Sequence, residues 1–401
     1  MEVTVYEKIM FIFCFLFAIA TNISTAATSC IIALSILTII IQYIKTKKLP
    51  RYDKPIARVC LVYVVLQCII AAMSLAPKEC FGEVWAATYR FFPLFMVMGY
   101  VRNENQVKFI LCGFLFSVLI NDAFGAYQYF IMNNTRPAGF NNTPTFFASH
   151  LLMAIPILYF VLRQSQRGDR IHFFSIGILA ISIFMLVASG TRGGWVAFIF
   201  VLLASLLLDK NNRKKICGAC IVLGILFGLF AYNTQFIQQR VESISDIQYS
   251  TNKERLLMWQ SAIAIFEDYP VFGVGQDQFG GVYNTKYISP LAKERPETGS
   301  HHGHPHNNFF KFLAEGGIVG ITAFLLLHGY FLYRMIMLYR KEKDLVHCSC
   351  GMIGGLVIIG LHIEGLTDTN ANQVPIMREF WFLMGLLLAT GKMQLQHKDI
   401  I

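Results

Sequence analysis

Residues 171–189 and 216–232 are unbroken apolar runs, and similar runs recur along most of the chain between short polar connectors. Crossing a bilayer core takes about 20 consecutive apolar residues of helix, and only helices or closed barrels satisfy every backbone polar group there. Strands of a membrane barrel alternate apolar and polar residues, and these runs do not. The chain therefore reads as all-α, a polytopic integral membrane protein. Composition agrees, since 55% of the 401 residues are hydrophobic and only 14% are charged.

The length rule places about twelve transmembrane helices at 9–25, 27–44, 56–76, 84–101, 107–132, 146–162, 171–189, 193–208, 216–232, 318–339, 348–364 and 376–390. The first run lacks a basic start and a small-residue cleavage site, so it is expected to be a retained span. The net charge of +10 is not spread evenly. Lys45, Lys47, Lys48, Arg51 and Lys54 crowd one connector. Arg163, Arg167 and Arg170 occupy another, Lys210, Arg213, Lys214 and Lys215 a third, and Arg340, Lys341 and Lys343 a fourth. Lys and Arg in short loops set orientation, so these connectors and both termini are expected on the cytoplasmic side. The basic charge thus reports topology, not a nucleic-acid partner.

The connectors 133–145, 189–192 and 365–375 then fall outside, together with one long polar segment between the ninth and tenth spans. Three parts follow: transmembrane helices in 1–232, a large loop in 233–317, and transmembrane helices in 318–401. The loop holds no cysteine, so no disulfide framework shapes it. Cys14, Cys30, Cys60, Cys68 and Cys112 lie in apolar runs and are expected to be mostly buried. Cys217-x-x-Cys220 and Cys348-x-Cys350 begin apolar helices without a second ligand pair, which favours packing over metal.

Within the loop, Asn252 is expected to cap a helix over 253–267. Pro270 stops it, and Gly273 and Gly275 turn the chain. Residues 286–303 read as irregular and mobile, and 306–314 as helical again. There is no internal repeat, no Walker A sequence, no GxGxxG in a strand–helix setting and no Asp-x-Asp pair. ATP-driven transport, dinucleotide chemistry and a metal-held sugar nucleotide therefore lack support.

Three positions converge on the expected outer face. Arg192, in Ser189-Gly-Thr-Arg-Gly-Gly-Trp195, lies between two apolar runs, where a charge costs about 2.5–3.5 kcal/mol without a partner. An interfacial arginine reaching headgroups is the plainer reading, but the flanking glycines would admit a ligand or backbone closely. Arg255 begins the loop helix, where a cation opposes the helix dipole and an anionic partner is favoured. Arg136, in Thr135-Arg-Pro-Ala-Gly-Phe140, is a weaker companion. Two or three arginines on one face suit a phosphate or pyrophosphate.

His301, His302, His304 and His306, with Glu297 and Glu315, invite a zinc reading, yet their spacing is not that of a zinc protease. A neutral imidazole is also the natural general base for a hydroxyl. His306, directly before Asn307-Asn308 at an expected helix start, is the better candidate for that base. Pro305 is expected to point His304 away from it. No metal or other cofactor is expected.

At these residues the chain resembles the O-antigen ligase and polymerase superfamily, and is most like the ligase. The matching pieces are Ser189–Trp195, Arg255-Leu-Leu-Met-Trp259 running to Asp268-Tyr-Pro-Val-Phe-Gly-Val-Gly275, and His304-Pro-His306-Asn307 leading to Glu315-Gly-Gly-Ile-Val-Gly320. Weaker echoes are Arg136-Pro-Ala-Gly139 and Gly365-Leu-Thr-Asp368. The resemblance implies a glycosyltransferase of lipopolysaccharide biosynthesis in the bacterial inner membrane, acting in its periplasmic loop. It would move a polysaccharide from undecaprenyl pyrophosphate, the donor, to lipid A–core oligosaccharide, the acceptor. Positions matching the family's functional residues are His306, Arg192 and Arg255, with Arg136, His304 and Asp368 as further substrate-binding candidates. The competing readings are an O-antigen polymerase, a protein-directed oligosaccharyltransferase and, in another class, an anion transporter. A transporter is expected to show two related halves with broken helices, which this sequence does not.

Overall fold

The structure, a computed structural model, describes residues 5–398 apart from 51, 142, 167, 247, 300 and 343–348. Arg51, Arg167, Lys343 and Cys348 therefore lie outside the described residues. Among those described there are helices and no strand. In chain order the helices are α1 (Val5–Ala20), α2 (Thr25–Thr46), α3 (Lys54–Ala72), α4 (Pro77–Tyr89), α5 (Phe92–Tyr100) and α6 (Glu104–Phe130). Then come α7 (Pro144–Gln164), α8 (Arg170–Ala188), α9 (Arg192–Leu208), α10 (Arg213–Asn233), α11 (Gln235–Glu242) and α12 (Ser250–Asp268). The last are α13 (Phe279–Val282), α14 (Asn308–Lys341), α15 (Cys350–Glu364) and α16 (Val374–Lys398).

Among the described residues, eight helical segments are long and apolar enough to cross a membrane, while α9 and α15 are apolar but shorter. The chain is a multi-pass membrane protein. Polar side chains start the spans: Ser24 caps α2, Asp53 α3, Asn103 α6, Thr143 α7 and Ser349 α15, each accepting from a backbone N–H of the first turn. The bundle is built around α16, where 89% of the apolar stretch is buried, against 6% in Lys210–Asn233. Trp381 of α16 packs its ring 4.7 Å from Phe91 and 4.8 Å from Phe331. Several carboxylates inside the bundle are paired, as a low-dielectric medium favours. His150 meets Glu379, Ser182 donates to Asp122 at 2.5 Å, and Ser149 donates to Glu364 at 2.6 Å.

The helices end in two groups. Arg334 pairs with Asp53 at 2.9 Å, and the Tyr339 hydroxyl donates to the Leu208 carbonyl, so α14, α3 and α9 share one end. At the other end the α6–α7 connector touches the α8–α9 turn through Arg136 and the Ser189 carbonyl. There too the Asn308 N–H donates to the Gly365 carbonyl. The basic connectors and the long polar segment thus lie at opposite ends of the bundle.

Several expectations are corrected. Residues 84–101 are not one helix: α4 and α5 meet at Arg90, a buried side chain that donates to the Asn372 carbonyl and side chain. Pro93, one residue into α5, has no N–H to continue a helix from α4. Asn252 does not cap the loop helix, which starts at Ser250; its amide instead donates to the carbonyls of Ser243 and Asp246 and folds the preceding loop onto α12. Cys30 and Cys112 are exposed rather than buried.

Candidate active site

Arginines from three separate stretches meet at the polar end. Gly190, at φ +64°, reverses α8 into α9, and a Cβ there would lie 2.8 Å from the Phe236 ring. The turn points the Ser189 carbonyl at Arg136, whose Nε donates at 3.3 Å. Arg192, the first residue of α9, donates to the carbonyl and hydroxyl of Ser243 at 2.7 and 2.9 Å and to Thr251 at 2.9 Å, and lies 5.2 Å from the Tyr249 ring centre. A Cβ on Gly193 would collide with Thr367, so this glycine lets α9 start against the α15–α16 connector. Arg240 of α11 stacks over Phe236, its Nε buried without a hydrogen-bond partner. Arg255 follows one turn into α12.

These four guanidiniums are half-buried, and none forms a salt bridge among the described residues. Burial, reinforced by Arg240, Arg192 and Arg255, pushes the Arg136 guanidinium down to about 10. Burial also lowers Arg255, with Asp368 opposing and Arg240 adding to the effect. Such crowding of like charge, with Asp368 the one carboxylate acting on it, is an arrangement that can hold an anion.

Beside it, two histidines are stapled to the α15–α16 connector. Asn307 caps α14 by accepting from the N–H groups of Phe309 and Phe310, and its amide donates to the Leu366 carbonyl. Asn308 donates to Asn370 at 2.7 Å and accepts from the Ala371 N–H. His306 has φ +50°, a left-handed conformation that a non-glycine residue holds only when its surroundings fix it. Trp259 supplies part of that fixing, donating from Nε1 to the Pro305 carbonyl at 2.9 Å and stacking on Phe310. Trp259 is four residues after Arg255, on the same helix face. Arg255 lies within electrostatic reach of Asp368.

His306 Nδ1 lies 3.6 Å from an Asp368 oxygen, an ion-pair distance longer than a hydrogen bond. Burial would raise the Asp368 carboxyl, but His306 and the Thr369 N–H hold it at about 2. His304 Nδ1 lies 2.7 Å from the Thr369 hydroxyl, and burial with His306 nearby lowers its imidazole to about 4. The two rings are 4.4 Å apart, edge to face, so Pro305 does not separate them as expected.

The other expected ligands go elsewhere. His301 is exposed. His302 pairs with Glu294 at 3.1 Å and meets Tyr283 edge-on, so it is anchored rather than loose. Glu315 pairs with Lys311 at 2.6 Å. The trio His304, His306 and Asp368 does place three donor atoms within 4.8 Å of one another. Tetrahedral zinc would need them drawn to about 3.3 Å.

The glycine-rich pieces make the frame. The N–H groups of Val274 and Gly275 donate to the carbonyls of Ala314 and Glu315, and those of Ile318 and Val319 to Pro270 and Val271. Gly317, at φ +58°, breaks α14 there, and a Cβ on it would lie 2.5 Å from the Val271 carbonyl. Arg136, Arg192, Arg255, His304, His306 and Asp368 are thus brought to one end. Arg240, Tyr249 and Thr369 join them without having been singled out from sequence. In Arg240 the signal was only a cation in the outer loop, which most often is solvated.

Comparison with known proteins places this geometry. Residues 177–325 match a family model described as O-antigen ligase, a stretch holding Arg192, Arg240, Arg255, His304 and His306 but not Arg136 or Asp368. An uncharacterised protein of Haemophilus influenzae is 25% identical over 281 residues, covering 66% of this chain and 68% of that one. A protein of Salmonella typhimurium named O-antigen ligase is 21% identical over 234 residues, covering 56% of this chain and only 54% of its own length.

Proposed function

We propose that the chain is a member of the O-antigen ligase superfamily, which its match over residues 177–325 supports, and that it is a glycosyltransferase that moves a polysaccharide from undecaprenyl pyrophosphate to lipid A–core oligosaccharide. The reading places it in the bacterial inner membrane, with its active end in the periplasm and 233–317 as the substrate-handling loop. In this topology α1, α9, α15 and the broken pair α4–α5 cross as well, making twelve passes. The observation that carries the reading is the group of four unpaired, half-buried arginines beside the His306–Asp368 pair.

Arg136, Arg192, Arg240 and Arg255 hold the donor pyrophosphate and stabilise the charge gathering on it as it leaves. His306 turns Nδ1 to Asp368, which orients the ring and leaves Nε2 for the acceptor. The acceptor hydroxyl oxygen bonds to the anomeric carbon while that carbon's bond to the phosphate oxygen breaks. The electron pair departs on undecaprenyl pyrophosphate, and the hydroxyl proton passes to His306 Nε2. Direct displacement inverts the anomeric centre. His304, held by Thr369 and uncharged near neutral pH, shapes the acceptor side.

The test is transfer by purified, reconstituted protein with both lipids. Arg192→Ala and Arg255→Ala should abolish transfer while the protein still accumulates in the membrane, and Arg255→Lys should recover only part, since a point charge lacks the guanidinium's bidentate geometry. Transfer should persist in excess EDTA, because arginines neutralise the leaving group. Full activity in Arg255→Ala, or loss in EDTA reversed by zinc, overturns the scheme. Lipopolysaccharide from a null strain should lack all capped molecules. Single-repeat caps would mean a polymerase.

A further inference from the structure

The end of the bundle opposite the arginines and histidines holds a cavity of about 580 Å³. It is walled by the start of α3, the end of α5 and the last turns of α14 and α16. Four cationic residues line it: Arg102, Arg334, Lys341 and Lys392, against the single carboxylate of Asp53. Arg334 is committed to that carboxylate, at 2.9 Å. Lys341 and Lys392 are exposed and make no hydrogen bond or salt bridge to a described residue. The rest of the wall is largely apolar, Met337 included. On α14, Arg334 and Lys341 are seven residues apart, about 10 Å along the axis, so the charge extends inward from the rim.

We propose that this cavity is a binding site for an anionic phospholipid, its phosphate between Lys341 and Lys392 and the first part of its acyl chains on the apolar wall. Orienting a membrane protein requires basic residues near this end, but it does not require a walled cavity between four helix ends. A basic pocket between transmembrane helices whose wall also carries Met98, Met337, Leu338 and Leu388 suits a lipid headgroup with its acyl chains better than a free anion. The inference stands apart from the glycosyltransferase reading, since no residue is shared.

The experiment uses the full chain in dodecyl maltoside. Binding of dioleoyl phosphatidylglycerol is measured by native mass spectrometry and by the shift in melting temperature. Dioleoyl phosphatidylcholine and glycerol phosphate are the comparison ligands. Phosphatidylglycerol should bind and stabilise, and the other two should not. Lys341→Gln with Lys392→Gln should weaken that binding by about thirtyfold, roughly fivefold for each lysine. Lys214→Gln with Lys215→Gln, on another basic connector, should leave it unchanged. Equal binding of both phospholipids, an equal loss in the Lys214/Lys215 variant, or wild-type binding by Lys341→Gln/Lys392→Gln overturns the site. Binding of glycerol phosphate alone, as tight as the lipid, would make it a soluble-anion site and overturn the lipid assignment.

Discussion

His306 is strained at φ +50° and fixed from three sides by Asn307, Trp259 and Asp368. A base held so should be far more sensitive than its neighbours. His306→Ala should lower transfer by about 10²–10⁴-fold, the usual worth of a positioned base, while diphosphate binding survives on the arginines. His301→Ala should be silent, His302→Ala close to it, and His304→Ala intermediate. Wild-type transfer by His306→Ala in the reconstituted assay would remove it from the mechanism. His304 also gives the folded state a pH dependence. Burial lowers its imidazole from 6.5 to about 4, so between those values the unfolded chain binds the extra proton. Stability should be full above about pH 6.5 and fall as the pH drops towards 4. Melting curves of His304→Gln should be flatter across that window. At this scale Arg192, Arg255 and His306 were legible because a charge or imidazole near apolar runs has few innocent roles. Arg240 was not, because the arginines it crowds, Arg136 and Arg192, lie in the distant α6–α7 and α8–α9 turns.

The elements hold together through backbone contacts that only glycine permits. Residues 270–275 run along the broken start of α14, with Gly317 against the Val271 carbonyl. Gly317→Ala combines a left-handed φ with a steric collision and should cost about 2 kcal/mol or more, read as a lower melting temperature and poor accumulation. Gly329→Ala, on the same helix with open space around it, should be neutral or slightly stabilising. Equal behaviour of the two would mean that the break in α14 is not tightly packed. The glycines at 273 and 275 were readable as turns, but their partner strand of backbone in α14 was not. The break between α4 and α5 was missed for a different reason. Hydropathy averages over Arg90 and Pro93, whereas the backbone responds to each: a buried guanidinium bonded to Asn372, and a ring without an N–H.

Across the whole molecule, charge and polarity are divided between the two ends, and that division was the most legible feature, since Lys and Arg in short connectors report orientation directly. In a background lacking native cysteines, Thr285→Cys should react with a membrane-impermeant thiol reagent added from the periplasmic side, and Asn211→Cys should not; both positions are exposed, so access alone decides. Labelling of Asn211→Cys alone would invert the molecule. The path of the chain also sets an order in time. The arginines and His306 are made early, but Asp368, Thr369 and the carbonyls that receive Asn307 and Asn308 belong to the connector between α15 and α16. Until those two helices have been synthesised and inserted, His304 lacks Thr369 and His306 lacks Asp368. On the proposed function, a nascent chain on the ribosome would expose its arginines to the donor lipid without being able to spend it, and catalytic competence would arrive only with completed assembly.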